Sequence, residues 1–301
     1  MKKILIADAL SPEALEELQS VQDFEVTVKT GMDEAEFVKT IPDYNAVVVR
    51  SATKVTQNVI NAASNLELIV RAGIGLDNID LSAAKEKGIQ VANTPEATSI
   101  SVAEHTLGLM LALVRNHGKA NISMKEHKWE KKKLKGTELY KKTLGIIGSG
   151  RIGLEVAKRA LAFGMRVIVF DIVDIDTALD VKQVSFEELL SESDIISLHI
   201  PLTEKTKHIL STEEFNKMKN GVMIVNAARG GTVDEKALLN ALESGKVRAA
   251  AVDVFETEPP DDFSLIDHDN VIATPHIGAA AEEGQKRAGM DVVKKLKEKF
   301  L

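Results

Sequence analysis

Three closely spaced glycines and an acid downstream of them carry the plainest chemistry in this chain. The run Thr143-Leu-Gly-Ile-Ile-Gly-Ser-Gly-Arg-Ile-Gly153 places Gly148, Gly150 and Gly153 between a short apolar strand and a helix predicted over Leu154 to Phe163. A second apolar run, Met165-Arg-Val-Ile-Val-Phe-Asp171, ends in a carboxylate. Strand, glycines, helix, strand and acid in that order form a dinucleotide-binding pattern. Gly148 permits the tight turn, Gly150 lets backbone approach a pyrophosphate, and Gly153 lets the helix pack on its strand. The N–H groups and dipole at the helix start favour the phosphate charge. Asp171 suits free ribose hydroxyls and repels a 2′-phosphate, because like charges about 4 Å apart at an effective dielectric near 20 cost up to roughly 4 kcal/mol. Ile172 and Val173 follow it and bring no cation, so NAD is expected rather than NADP.

Three further groups follow predicted strands: Arg229 in Asn226-Ala-Ala-Arg229-Gly-Gly, Glu258 in Val254-Phe-Glu-Thr-Glu258-Pro-Pro, and His276 in Thr274-Pro-His276-Ile-Gly. Ligands of open parallel sheets bind outside the carboxyl ends of the strands, so all three are aimed where a nicotinamide should lie. Singly, an Arg or Glu reads as a solvated surface group and a His as structural; three at successive strand ends read as a site.

The elements that must position these groups alternate along the chain. Before the fingerprint, strands are expected at Lys3–Ala7, Phe24–Val28, Ala46–Arg50, Leu66–Arg71 and Ile89–Asn93, with helical stretches such as Ser11–Gln19, Asp33–Lys39 and Leu81–Lys87 between them. After it, strands are expected at Ile195–Ile200, Val222–Asn226, Ala249–Val254 and Val271–Thr274. Strands alternating with helices imply parallel sheets, and 301 residues suffice for two such domains, with a boundary near residues 95–100. Ser101-Val-Ala-Glu104 reads as a capping box opening a helix to Val114, apolar on most faces and so expected between domains or subunits. Ser185–Glu188 and Ser211–Glu214 read as further capping boxes, and residues 280–301 as one amphipathic helix.

Composition narrows the classes. A formal charge of −7 argues against a general nucleic-acid binder. With no cysteine, disulfides, thiol nucleophiles and cysteine-ligated metals are excluded. The seven histidines show no metal-ligand spacing such as HExxH, so no metal is expected. The basic, apolar start at Met1 is cut by Asp8, too early for a secretion signal, and no apolar run approaches the roughly 20 residues of a membrane span. A cytoplasmic location is expected.

The ordered set GSGRIG, Asp171, NAARGG, ETEPP and TPHIGA resembles the D-isomer-specific 2-hydroxyacid dehydrogenase family over essentially the whole chain. Within it the chain is most similar to the branch that oxidises 3-phospho-D-glycerate at the head of serine synthesis. That closer likeness rests on Val49-Arg-Ser-Ala-Thr-Lys-Val-Thr56, Arg71-Ala-Gly-Ile-Gly-Leu-Asp-Asn-Ile-Asp80, Asn93-Thr-Pro95 and Lys128–Leu139. The resemblance implies a Rossmann-like nucleotide domain, residues 98–280, inserted into a flavodoxin-like substrate domain, residues 1–97 with 281–301 returning to it. It also implies a cleft between them and a homodimer built largely on the nucleotide domain. By the same resemblance Arg229 clamps the substrate carboxylate, His276 is the acid–base and Glu258 its partner. Arg151 and Ile152 meet the pyrophosphate, Asp253 the nicotinamide carboxamide, and His199, Ile200 and Pro201 the adenosine side. Ile74, Ala227, Ala228, Gly278 and Ala279, with Arg229 and His276 themselves, complete the cofactor set, and Arg50, Ser51, Arg71, Gly73 and Lys131 the substrate set.

The chemistry of that assignment is self-consistent. Oxidising a 2-hydroxy acid needs a base for the hydroxyl proton while hydride leaves C2. A histidine with an ordinary pKa of about 6.5 suits both directions, a nearby carboxylate raises that pKa, and an arginine fork matches a carboxylate. Two departures touch the substrate side. Lys131 stands where relatives carry arginine, and a lysine offers a point charge without bidentate geometry; Glu96-Ala-Thr98 stands where relatives often have Asn and Gly. The Lys131–Lys133 run reads equally as a solvated face. Many relatives continue into a serine-sensing regulatory domain, whereas this chain stops at Leu301, so feedback by that route is not expected. A glyoxylate or hydroxypyruvate reductase is the alternative enzyme, and an NAD-sensing scaffold the non-enzymatic one. A formate dehydrogenase is disfavoured because glutamine, not a glutamate such as Glu258, pairs with the histidine there.

Overall fold

A computed structural model describes residues 1–301. Its backbone divides into two compact units, Met1–Ser99 with Ala279–Leu301, and Ile100–Gly278. The first unit runs β1 (Lys2–Ile6), α1 (Pro12–Ser20), β2 (Phe24–Val28), α2 (Glu34–Thr40), β3 (Ala46–Val49), α3 (Gln57–Ala62), β4 (Leu68–Arg71), α4 (Leu81–Glu86) and β5 (Gln90–Asn93). Its five strands are all parallel, in the order β2-β1-β3-β4-β5. Every residue of β3 is buried, as expected of a central parallel strand with helices on both faces. Side-chain oxygens of Ser11, Asp33, Thr56 and Asp80 cap α1 to α4, each accepting from the backbone N–H three residues on.

The second unit continues with α5 (Ser99–Val114), α6 (His117–Lys125), β6 (Thr143–Ile147), α7 (Arg151–Ala162), β7 (Arg166–Phe170), β8 (Lys182–Gln183), α8 (Phe186–Glu192), β9 (Ile195–Leu198), α9 (Thr212–Lys217), β10 (Val222–Asn226), α10 (Glu235–Glu243), β11 (Val247–Val252) and β12 (Val271–Ala273). Its seven parallel strands lie in the order β12-β11-β10-β9-β6-β7-β8. Chain order reverses between β6 and β9, the topological switch point beside which doubly wound sheets hold ligands. Neighbouring strand residues feed opposite faces: Ile147 and Ile168 join one core cluster, Ile146 and Val169 the other. The last helix, α11 (Glu282–Phe300), belongs to the first unit, where Ala288, Val292, Val293 and Leu296 share a core with Ala14 and Leu18 of α1. No helix is long and apolar enough to cross a membrane.

Several boundaries differ from the sequence expectation. Helix α5 starts at Ser99 rather than after Ser101, so Ser101 is an interior, buried residue and no N-cap. Glu104 is paired instead with Arg159 of α7 at 3.0 Å. The apolar faces of α5 are filled largely from within: Ala103, Leu107, Leu109, Met110, Leu113 and Val114 all enter the second unit's own core. Helix α7 starts at Arg151, three residues before the expected Leu154, because Gly150 is its N-cap and the last fingerprint residues form its first turn. At α9 the carboxylate of Glu214 does reach back to the Ser211 N–H, at 3.1 Å. At α8, Ser185 caps the helix while Glu188 pairs with Lys182 instead.

Candidate active site

The fingerprint glycines occupy three different environments. Gly148 sits at φ +96°, and a Cβ there would lie 2.6 Å from the carbonyl oxygen of His199; only glycine takes that turn without strain. At Gly153 a Cβ would overlap the Gly148 carbonyl. A Cβ at Gly150, by contrast, would meet no atom within 4 Å, and no side chain caps α7. That open backbone at a helix N-terminus suits a diphosphate.

Asp171 follows β7 directly. Its Oδ2 accepts the Ser149 N–H at 2.7 Å and the Ser149 hydroxyl at 2.9 Å, and its Oδ1 the Val173 N–H at 3.3 Å. Burial pushes its pKa upward, but these donors outweigh it and hold the carboxyl below its ordinary value, hence charged at neutrality. Beyond β9, His199 shares a 2.8 Å hydrogen bond between Nε2 and the Ser197 hydroxyl, while its Nδ1 is buried without a partner. Burial drives its pKa down to about 3, so the ring is neutral. Ile200 packs towards Gly148, and Pro201 is exposed.

At the end of β10, Asn226 organises the turn that carries Arg229. Its Oδ1 accepts the Ala228 N–H at 3.1 Å, and its amide donates to the Arg229 carbonyl and to Thr232 Oγ1, both at 3.1 Å. The Thr232 hydroxyl donates to the same carbonyl at 2.7 Å. Arg229 Nη1 donates to the Ala228 carbonyl at 2.7 Å. Gly230 lies so close to the segment after β11 that a Cβ would overlap the Phe255 carbonyl.

Glu258 bridges that segment to the histidine. Its Oε1 accepts the Phe255 N–H at 3.0 Å, and its Oε2 lies 2.7 Å from His276 Nδ1. A charged carboxylate only accepts, so Nδ1 carries the proton and Nε2 is the atom left to exchange one with a ligand. His276 has φ +52°, a left-handed backbone uncommon outside glycine. Asp253, 1% exposed, braces it on both sides: its carboxylate accepts the Thr274 hydroxyl at 2.6 Å and the N–H groups of Ile277 and Gly278, each at 2.8 Å. His105 Nε2 of α5 lies 3.4 Å from the same carboxylate. The Glu258 hydrogen bond raises the His276 pKa against the opposing effect of burial. Burial raises that of Glu258, but its hydrogen bonds from His276 and Phe255 leave it net lowered.

A pH prediction follows from that pair. Were His276 the base of an oxidation, the neutral ring would be required and the rate would rise as pH climbs through the histidine pKa; a reduction would require the imidazolium and fall through the same value. Glu258 raises that pKa, so Glu258→Gln should move both limbs to lower pH. Profiles of kcat/KM in each direction measure this, and limbs that stay in place would assign the titration to another group.

On the first unit, the segments after β1, β3 and β4 form one network. Asp8, 7% exposed, accepts the Arg50 N–H at 2.6 Å, the Thr53 N–H at 3.2 Å and the Thr53 hydroxyl at 2.8 Å. The Arg50 carbonyl accepts from Arg71 Nε at 3.1 Å and from Asn78 Nδ2 at 2.8 Å. Ser51 is exposed beside Arg50, Gly73 lies against the Arg71 guanidinium, and the Ile74 carbonyl accepts from Asn93 Nδ2 at 2.5 Å. Lys131 is exposed in a turn where Glu130 pairs with Lys133 at 2.8 Å.

The second unit thus brings Arg229, Glu258 and His276 onto adjoining segments after β10, β11 and β12, and Gly148, Gly150, Gly153 and Asp171 around β6 and β7. His105, read from the sequence as a structural or interfacial residue of the apolar helix, lies against Asp253 and Thr274; sequence reasoning passed over the holding roles of Ser149, Asn226, Thr232 and Thr274. Their signal was weak: small polar residues beside a motif look like ordinary turn formers.

Residues 107–278 match the family model for the NAD binding domain of D-isomer specific 2-hydroxyacid dehydrogenases. The chain is 54% identical to a hydroxypyruvate reductase of Thermotoga maritima over 297 residues, covering 98% of this chain and 97% of that enzyme. It is 52% identical to a D-3-phosphoglycerate dehydrogenase of Methanocaldococcus jannaschii over 301 residues, covering 99% of this chain but only 57% of that one. A crystal structure of D-lactate dehydrogenase from Aquifex aeolicus, complexed with NAD and lactic acid, superposes with a TM-score of 0.86 at 32% identity, covering 98% of this chain and 94% of that one. The chain belongs to the D-isomer-specific 2-hydroxyacid dehydrogenase family. Its cofactor is NAD, which the open Gly150 backbone and the charged Asp171 fit.

Proposed function

We propose that the protein interconverts 3-phospho-D-glycerate and 3-phosphohydroxypyruvate, the entry step of serine synthesis, in the cytoplasm and as a homodimer. The observation that supports the substrate assignment lies within the first unit, where Arg50 and Arg71 are joined through the Arg50 carbonyl. Two neighbouring arginines are chemistry suited to a phosphate, the group that separates a phosphorylated 2-hydroxy acid from its unphosphorylated counterpart. The likeness to D-3-phosphoglycerate dehydrogenases supports the same reading.

In this reading His276 takes the C2 hydroxyl proton at Nε2, Glu258 stabilises the resulting imidazolium through Nδ1, and Arg229 grips the carboxylate and polarises the C2 oxygen. Bound NAD supplies the hydride acceptor. Gly148, Gly150, Arg151, Ile152 and Gly153 cradle its diphosphate, Asp171 its ribose, and His199 to Pro201 its adenosine side. Ala227, Ala228, Asp253, Gly278, Ala279 and Ile74 are assigned to the remainder. The anion set is Arg50, Ser51, Arg71, Gly73 and Lys131.

The likeness to a hydroxypyruvate reductase over nearly that enzyme's full length favours a second reading, and Lys131 in place of an arginine is compatible with it. The experiment is a comparison of kcat/KM for phosphohydroxypyruvate and hydroxypyruvate, followed by loss of reduced-nicotinamide absorbance. The phosphorylated acid should be preferred by at least about tenfold, the worth of one retained charged contact. Preference for the unphosphorylated acid would replace the first reading by the second, and NAD binding without turnover of any 2-oxo acid would leave a non-catalytic NAD sensor.

A further inference from the structure

Gln183 lies on β8, the two-residue strand at the edge of the second sheet, and uses both ends of its side-chain amide. Oε1 accepts the Ile175 N–H at 3.0 Å; Nε2 donates to the Val173 carbonyl at 2.8 Å and, at a longer 3.4 Å, to the Asp171 carbonyl. One side chain therefore ties three backbone atoms of a segment that has neither helix nor strand of its own. That segment displays Ile172 and Val173, 93% and 62% exposed. Besides these ties the segment is held by Ile175, which packs against the core, and by the Val173 N–H on Asp171 Oδ1; the Gln183 amide is the group that binds its two ends together. From the opposite side, Ser149 holds the Asp171 carboxylate through Oδ2.

We propose that Gln183 is a positioning residue for cofactor choice: it fixes the main chain from Asp171 to Ile175, so that the Asp171 carboxylate meets an adenosine ribose with both hydroxyls free. The proposal rests on the assignment of Asp171 to that ribose. A carboxylate discriminates against a 2′-phosphate only while it is unable to swing aside. Ser149 holds the acid's head and Gln183 its backbone. Releasing the backbone lets the charge retreat from a phosphate and misplaces the acceptor for the hydroxyls. Preorganised donors and acceptors of this kind act mainly by removing an ordering cost from binding.

The test is a double-mutant cycle read by equilibrium binding of NADH and NADPH, followed by nicotinamide fluorescence, with wild type, Gln183→Ala, Asp171→Ala and the double variant. Gln183→Ala should weaken NADH about tenfold, the worth of one or two net hydrogen bonds, and change NADPH less than about twofold, so that the NADH:NADPH preference falls. In the Asp171→Ala background the same substitution should leave the preference unchanged. Gln183→Glu, which keeps the acceptor for Ile175 but loses both donated bonds, should resemble Gln183→Ala. An unchanged preference in Gln183→Ala overturns the proposal, as does an equal drop with Asp171 already removed, which marks general loosening. If Asp171→Ala alone leaves the preference intact, the ribose assignment fails and Gln183's role fails with it; if Asp171→Ala lowers it and Gln183→Ala does not, only Gln183's role fails.

Discussion

His276→Ala should lower kcat by about 10²–10⁴-fold, the usual worth of a positioned acid–base group, while the affinity for NADH stays within a few fold of wild type. The separation is the informative part. The imidazole is tied to Glu258 and sits in the segment after β12, whereas the fingerprint backbone and Asp171 stand around β6 and β7. Removing the ring leaves the Asp253 brace intact, because that brace takes the Thr274 hydroxyl and the backbone of Ile277 and Gly278 rather than the imidazole. The fold around the deletion is therefore kept, and single-turnover hydride transfer with NADH binding measured in parallel checks both halves. Equal loss of turnover and NADH affinity would contradict the acid–base assignment of His276.

Asp171→Ala should lower the NAD:NADP preference in kcat/KM by about 10–100-fold. The full Coulomb cost of a phosphate beside this carboxylate, up to roughly 4 kcal/mol, corresponds to nearly a thousandfold at 1.4 kcal/mol per decade. Partial exposure of the site screens it, which brings the expected effect down. The carboxylate's lowered pKa keeps it charged across the neutral range, so any pH dependence of the preference should follow the second ionisation of the 2′-phosphate, at about pH 6, and not Asp171. Steady-state kinetics with both cofactors measure it; an unaltered ratio would remove the ribose assignment.

The strand-helix alternation was legible because parallel strands buried on both faces read as short, uninterrupted apolar runs: Val222–Asn226 is bounded as expected, and Ala46–Arg50 differs from β3 by its last residue only. What stayed hidden has physical causes. Helix α6 follows Asn116 in a left-handed conformation and buries only Ser123, so it has no apolar stripe to read. Strand β8 is two residues long, below any detectable period. The misplaced start of α5 shows a serine and a glutamate at capping spacing inside a helix rather than at its end. That Arg229, Glu258 and His276 lie on neighbouring segments was legible because each follows a strand of one parallel sheet. The residues that hold them are separated by long loops in sequence, as Asp253 is from Gly278, and only tertiary structure brings them together.

The tight apposition of Gly230 and the Phe255 carbonyl has a consequence for anyone re-engineering this scaffold. The turn bearing the guanidinium and the strap bearing the acidic partner share one point of backbone interlock, with no side chain between them to act as a cushion. Any graft or library that puts a side chain at position 230 would wedge the strap outward, so the two segments should be exchanged as one cassette or the glycine held fixed.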